Sequence, residues 1–447
     1  MNGQRKIMAA VLAGVIVMVA LTFASSPVAA LSDEDIALGI DGGDTTWIIV
    51  AMVLVFIMVP GVGFFYGGML RKESVLSMLG QCLAVTALVT VFWVVIGYTL
   101  AFGSGGAIVG SLDHFFLKDV GAAPYGYGTE AAGTIPQSLF MLFQMMFCIV
   151  TTCLLTGGIA ERMKLRALAI FLAIWSVLVY APVAHWVWGG GWIMTELGAL
   201  DFAGGTVVHI ASGVSVLAAA LVIGKRISVA KGHEEVPHNV PMAVLGAALL
   251  WFGWFGFNGG SALGTGSFAA NALVNTQIAA AVATGVWGLI SWLHLGRPSV
   301  MGLITGAIAG LVGITPAAGF VDASGAIAIG IGAAFVCYGG LILRRKLKLD
   351  DAVDVWGVHG LGGTFGAIAT GFLASTAAGS PVEGLLYGGT VDVVVNQILA
   401  VAAVWAFVFV VTFAILKIMS LVGEIRMTKD EERIGADIVQ HGERAYN

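Results

Sequence analysis

The sequence predicts an all-α polytopic membrane protein, on three observations: its composition, its repeated apolar runs of spanning length, and the one-sided distribution of its basic residues. Of the 447 residues, 58% are hydrophobic and only 11% charged, whereas a soluble domain carries charge on roughly a quarter of its positions. Gly supplies 63 residues, about twice the ordinary share. Small residues let apolar helices pack backbone to backbone.

At the N-terminus, Arg5 and Lys6 precede an apolar run from Ile7 to Phe23 and the small-residue stretch Ala24 to Ala30. Residues 1–30 therefore read as a secretory signal peptide cleaved after Ala30, with an uncleaved first helix as the alternative. The acidic stretch Asp33 to Asp44 follows and is expected outside.

Eleven transmembrane helices are expected after the signal peptide, near residues 45–69, 75–102, 136–159, 166–187, 203–223, 241–262, 272–294, 300–319, 324–342, 355–374 and 391–420. Most of these runs are closed by charge or by Gly and Pro. They make residues 31–423 a membrane domain, followed by a polar tail at 424–447. With the mature N-terminus outside, every basic residue except Arg5, Lys6 and Lys118 falls on the cytoplasmic side. That bias sets the orientation in the cell (inner) membrane, and an odd number of spans leaves the C-terminus in the cytoplasm.

Two of these spans carry an acid and a histidine into apolar surroundings. In Asp201-Phe202-Ala203-Gly204-Gly205-Thr206-Val207-Val208-His209-Ile210 the histidine follows the acid by eight positions, and the same spacing separates Asp351 from His359. At roughly 1.5 Å per residue, each imidazole lies about 12 Å inside a hydrocarbon layer about 30 Å thick. Span five enters from outside and span ten from inside, so the two rings are expected to meet near the midplane. Phe65-Tyr66-Gly67-Gly68 in span one is echoed by Phe257-Asn258-Gly259-Gly260 in span six. Five-helix halves joined in tandem point oppositely, which suggests an inverted repeat, with one extra helix, the eleventh, outside it.

Intramembrane ionisable groups are costly and usually face a polar partner. Either the histidines hydrogen-bond backbone carbonyls for packing, or they share a proton in an apolar lane and favour a small molecule that both donates and accepts hydrogen bonds. Two imidazoles are too few for a metal, since a zinc site takes three or four protein ligands. Cys82, Cys148, Cys153 and Cys337 lie in apolar runs without metal or disulfide spacing. A net charge of −5 without a basic tract sets nucleic acid aside.

On the outer side Trp188, Phe147, Phe257 and Ser261 converge. Each has an ordinary explanation in packing, the interfacial belt or a helix end, but together they suit a small cation held by cation–π attraction of about 0.5 to 2 kcal/mol and a directed acceptor. Asp201 caps span five through the Gly204 and Gly205 amides or favours a cation nearby, and Asp351 and Asp354 read as caps and loop anchors. The longest loop, Phe102 to Ile135, is external, glycine-rich and nearly uncharged, and reads as a lid or a packing loop. The tail is the expected regulatory or docking surface.

Several stretches resemble one family. They are Phe140-Met141-Leu142-Phe143-Gln144, Ala160-Glu161-Arg162, Ala184-His185-Trp186-Val187-Trp188-Gly189-Gly190-Gly191, Trp254-Phe255-Gly256-Phe257-Asn258-Gly259-Gly260-Ser261, Gly357-Val358-His359-Gly360 and His441-Gly442-Glu443-Arg444-Ala445-Tyr446-Asn447. With the Asp201 to Ile210 stretch, they are similar to the ammonium transporter family, in its bacterial and archaeal form because Trp188 and Ser261 are both present.

The resemblance implies an eleven-span homotrimer with one pore per subunit, no enzymatic activity and no cofactor. It implies an outer ammonium site of Trp188, Phe147 and Ser261 with Phe143 and Gln144 beside it, a stacked gate of Phe147 and Phe257, a pore pair of His209 and His359, and Asp201 supporting the outer site. The tail and the Lys225 to His238 loop resemble the face that a PII-class signal protein blocks. Two rivals stand beside this reading: a sensor built on the same pore fold, and a membrane enzyme with a histidine-bound metal.

Overall fold

The computed structural model describes residues 37–126, 133–232 and 236–446. The expected signal peptide, residues 1–30, lies outside the described residues. A helical segment falls on each of the eleven expected stretches. We number them α1 (Gly42–Met69), α2 (Lys72–Phe102), α3 (Gln137–Gly158), α4 (Leu165–Leu197), α5 (Gly205–Ile223), α6 (Val240–Gly260), α7 (Ser267–Leu295), α8 (Val300–Ile314), α9 (Ala323–Lys346), α10 (residues 356–373) and α11 (Val391–Val422). Among the described residues nine of these, all but α8 and α10, are long and apolar enough to cross a bilayer.

Three ends differ from expectation by five residues or more: α4 continues past residue 187 to a π turn that closes at Leu197, and the other two differ for identifiable reasons. α8 stops at Ile314 rather than residue 319, because the chain turns through Thr315 and Pro316, and the Pro316 carbonyl accepts the Phe202 amide at 3.0 Å. That bond fixes the entry to α5. α7 begins five residues early, at Ser267, because its polar first turns are occupied inside the protein. Asn275 donates its amide to the Ala318 and Val321 carbonyls at 2.9 and 2.6 Å, stitching α7 to the turn after α8.

α3 and α5 form the centre: 89% and 83% of their spanning windows are buried, against 28% for α2 and 33% for α7 and α11. Helices approach most closely where glycine removes the side chain. A β-carbon at Gly213 of α5 would run into the Gly360 backbone of α10, and one at Gly246 of α6 into the Phe65 backbone of α1. Both crossings lie beside the residues that concern function.

The tail folds back on one end of the bundle. Arg426 pairs with Met163, the Ile425 carbonyl accepts from the Lys164 amide at 3.0 Å, and the Met427 amide donates to the Arg162 carbonyl at 2.8 Å. A short helix α12 (Lys429–Ile434) starts from a capping box of Thr428 and Glu431. Gly435, at φ 106°, then turns the chain so that the Asp437 carboxylate accepts the Leu76 and Ser77 amides at 3.1 and 2.7 Å. The tail thus caps the start of α2. Two of its acids, Glu432 and Asp437, are therefore turned inward, while Lys429, Asp430, Arg433, Glu443 and Arg444 stay exposed.

Beneath the tail, Arg226 bridges Glu161 at 2.8 Å and Asp350 at 2.9 Å, while Arg71 reaches Glu161 at 3.2 Å and Arg162 reaches Asp350 at 3.3 Å. Burial pushes the Glu161 and Asp350 carboxyls up, but the facing guanidinium groups outweigh it and hold both below their ordinary values. A carboxyl held low stabilises the fold above its unfolded pKa of about 4, and that contribution is lost as pH falls through the depressed value. Breaking a buried pair costs about 3–5 kcal/mol. Glu161→Gln is expected to lower the melting temperature in detergent at pH 7, with the gap from wild type closing only below the ordinary carboxylate range. A gap that already closes by pH 6 would contradict the assignment.

Candidate functional site

The two histidines are delivered by matching local structures. Ahead of α5, Asp201 accepts the Gly204 and Gly205 amides on Oδ1 at 2.8 and 2.7 Å, and the Thr206 amide on Oδ2 at 2.7 Å with the Thr206 hydroxyl beside it. Gly204 sits at φ 111°, open to glycine. Ahead of α10, Asp351 accepts the Trp356 amide on Oδ2 at 2.7 Å. In each case the amide five positions after the acid is capped, and the histidine eight positions after it lies in a π turn, Gly205–Ile210 or Trp356–Gly360. A π turn adds a residue to the helical circuit and re-aims its side chains, a common device at functional sites.

His209 and His359 are buried, and their Nδ1 atoms lie 3.2 Å apart with ring centroids 5.2 Å apart. Hydrogen-bond arithmetic fixes the proton order in neutral rings. The Thr315 hydroxyl donates its one proton to the Leu311 carbonyl at 2.7 Å and accepts the Trp254 indole N–H at 2.9 Å. Its contact with His209 Nε2 at 3.2 Å must then have the imidazole as donor. His209 Nδ1 is therefore the bare acceptor, and His359 Nδ1–H donates to it. His359 Nε2 is left as an acceptor.

Aromatic rings stand on the other side of this pair, toward Trp188. Phe147 and Phe257 stack at 4.2 Å with 29° between planes, Phe143 meets Phe147 edge-on at 5.0 Å, and Trp188 meets Phe147 at 5.9 Å and 90°. Trp188 Nε1–H donates to the Asp201 carbonyl at 2.8 Å, which ties the indole to the α5 cap. The Ser261 hydroxyl donates to the Phe257 carbonyl at 2.8 Å, leaving its lone pairs available. Gln144 is buried, and its side-chain oxygen has no hydrogen-bond partner among the described residues. Neither Ser261 nor Gln144 belongs to the ring contacts.

Two small voids continue the path, each with room for about one water-sized molecule. The first lies against Phe257, Trp254, Val150, Leu154, His209 and His359. The second lies against His359, Tyr66, Thr305 and Asp354. From Trp188 the ring contacts run through the stacked phenyl pair to the imidazole pair, with the first void against both Phe257 and the imidazoles and the second against His359 and Asp354.

The matching family model is the Ammonium Transporter Family, over residues 46–446. The chain belongs to that family. It is 49% identical over 406 residues to an ammonium transporter of Bacillus subtilis, covering 90% of this chain and 98% of that one. Among solved structures it is similar to Mep2 of Candida albicans, at 41% identity and a TM-score of 0.82 with 91% of each chain covered. It is also similar to a structure described as a sensor Amt protein, at 29% identity and a TM-score of 0.81, covering 89% of this chain and 98% of that one.

In this ammonium transporter family member, residues absent from the sequence-derived set complete the site. Thr315 and Trp254 order the imidazole protons, and Tyr66 borders both voids. A lone hydroxyl next to Pro316 in an apolar run was the only available signal for Thr315, and it does not identify a partner. Asp351 and Asp354 are placed as loop anchors: the first caps α10, and the second pairs with Arg344 at 2.5 Å.

Proposed function

We propose that this chain is an ammonium transporter that recruits ammonium at Trp188, Phe147 and Ser261, with Phe143 and Gln144 beside them. The ion gives up a proton to solvent water on the outer side of the Phe147–Phe257 gate, and the ammonia so formed is conducted past His209 and His359. The hydrogen-bond chain from Thr315 through His209 to His359, set in an apolar lane behind two stacked phenyl rings, is the observation that carries this reading. An intact ammonium ion would lose its water there at a cost of several kcal/mol or more. Ammonia both donates and accepts hydrogen bonds, so it can be handed along an imidazole pair. Potassium has no proton to leave behind and no N–H to offer.

In this reading the chain has eleven spans in two inverted five-helix halves plus α11. It lies in the cell membrane with the Trp188 end outside and the tail in the cytoplasm, and residues 1–30 serve as its signal peptide. Three copies assemble, each with its own pore, and the face formed by the tail and the Lys225 to His238 loop takes a PII-class signal protein. Asp201 supports the outer site chiefly as a cap, holding the Gly204 to Thr206 amides and, through its carbonyl, the Trp188 indole.

The test is ammonium uptake into liposomes containing the purified protein. Trp188→Leu removes the indole face but leaves the gate and the imidazoles, so the half-saturating ammonium concentration should rise about two- to thirtyfold, the span of a cation–π contact. The maximal rate should stay within about twofold. Uptake indifferent to Trp188→Leu counts against an aromatic recruitment site.

A further inference from the structure

We propose that Asp44, on the first turn of α1, is a positioning residue that sets the spacing of the outer site, an inference that rests on the recruitment reading above. One carboxylate holds two helices. Oδ1 accepts the Thr265 amide at 2.6 Å and the Thr265 hydroxyl at 2.8 Å, and Oδ2 accepts the Thr134 hydroxyl at 2.5 Å. Thr134 leads into α3, which carries Phe143, Gln144 and Phe147. Thr265 follows α6, which carries Phe257 and ends at Gly260, next to Ser261.

Neighbouring contacts make the clasp stiff. The Asp41 amide donates to the Thr134 carbonyl at 2.8 Å, and Asp41 Oδ1 accepts the Asp44 amide at 2.8 Å. One turn further, the Trp47 indole N–H donates to the Gly259 carbonyl at 3.2 Å. Ser261 caps α6 and opens a loosened turn in which Leu263 is held at φ 54°, and the next anchored residue is Thr265 itself. At the end of α6, a β-carbon at Gly260 would come 2.6 Å from the Ala51 β-carbon of α1 and 2.8 Å from the Phe143 ring, so the Phe143 ring packs directly on the α6 backbone there. A small change in the separation of α3 and α6 therefore moves Ser261 relative to Phe143 and Phe147, while the histidines, on α5 and α10, are held by other contacts.

The prediction is a change of affinity without loss of turnover. Asp44→Ala is expected to raise half-saturating ammonium about tenfold, because hydrogen bonds to a charged acceptor are lost and a binding group is misplaced, with the maximal rate within about twofold. Asp44→Asn keeps a neutral acceptor and should raise it about threefold. Thr265→Val should also raise it about threefold, and the double variant with Asp44→Ala should be no worse than Asp44→Ala alone, since both break one contact.

Trp188→Leu serves as the reference. If it shifts half-saturation and Asp44→Ala does not, the clasp is overturned and the recruitment site stands; if neither shifts, the recruitment reading fails. A fall in maximal rate at unchanged half-saturation also overturns the proposal, because it marks Asp44 as a support of the fold alone. Should Asp44→Ala not be recovered folded, Thr265→Val decides, and an unshifted half-saturation in it overturns the proposal.

Discussion

His359→Ala is expected to cost the protein its preference for ammonium over an alkali cation, by about tenfold or more, because a directed hydrogen bond in a dry lane is lost outright. His209 Nδ1 would then face empty space where a donor stood at 3.2 Å. The space once filled by the ring adds to the two voids that His359 lines. A wider lane admits water, and water carries ions. The measurement is paired uptake of labelled ammonium and rubidium into liposomes, wild type against variant. Thr315 and Trp254 still fix the His209 ring, so the effect is confined to the missing partner. An unchanged ratio would mean that the rings support packing only.

Gly213→Val should damage transport without touching either imidazole. The side chain has nowhere to go, since even a β-carbon meets the Gly360 backbone, next to His359. Overpacking of this kind costs about 1–3 kcal/mol or more. The relief available is to part α5 from α10, and the Nδ1 to Nδ1 distance of 3.2 Å has little margin before the hydrogen bond fails. Uptake is expected to fall about tenfold or more while the protein still melts cooperatively, since misplacing a positioned group by about 1 Å can cost a hundredfold. Gly363→Ala presses on the same place, 2.8 Å from the His209 β-carbon, and should act in the same direction. Normal uptake by both variants would show that this crossing does not set the pair.

How far the site was legible in the sequence follows from which forces act along the chain and which act across it. Lipid imposes its demand locally, residue by residue, so the helical stretches emerged from apolar runs to within a few positions at every end but that of α4, which continues to Leu197. The acid-to-histidine spacing was equally visible, because one chain segment carries both ends of it. The π turns at Gly205–Ile210 and Trp356–Gly360 were not visible, because widening one helical turn by a residue leaves no mark on the apolar pattern. Thr315 and Asp44 were missed for a different reason. Their meaning lies in partners 106 and 221 positions away, His209 and Thr265, and no local pattern announces such a bond. The tail was legible as polar, but its inward-facing acids, Glu432 and Asp437, look in sequence like any solvated charge.

The central claim is that nitrogen passes as ammonia along a proton-ordered imidazole pair in a lane closed to hydrated cations. Uptake of nitrogen-15 ammonium into protein-containing liposomes, scored as total nitrogen inside and run beside an equal concentration of rubidium, tests it without regard to whether a proton follows. Rapid nitrogen entry well above protein-free liposomes, with rubidium at background, is the result expected. Rubidium entering at a rate comparable to ammonium would contradict it.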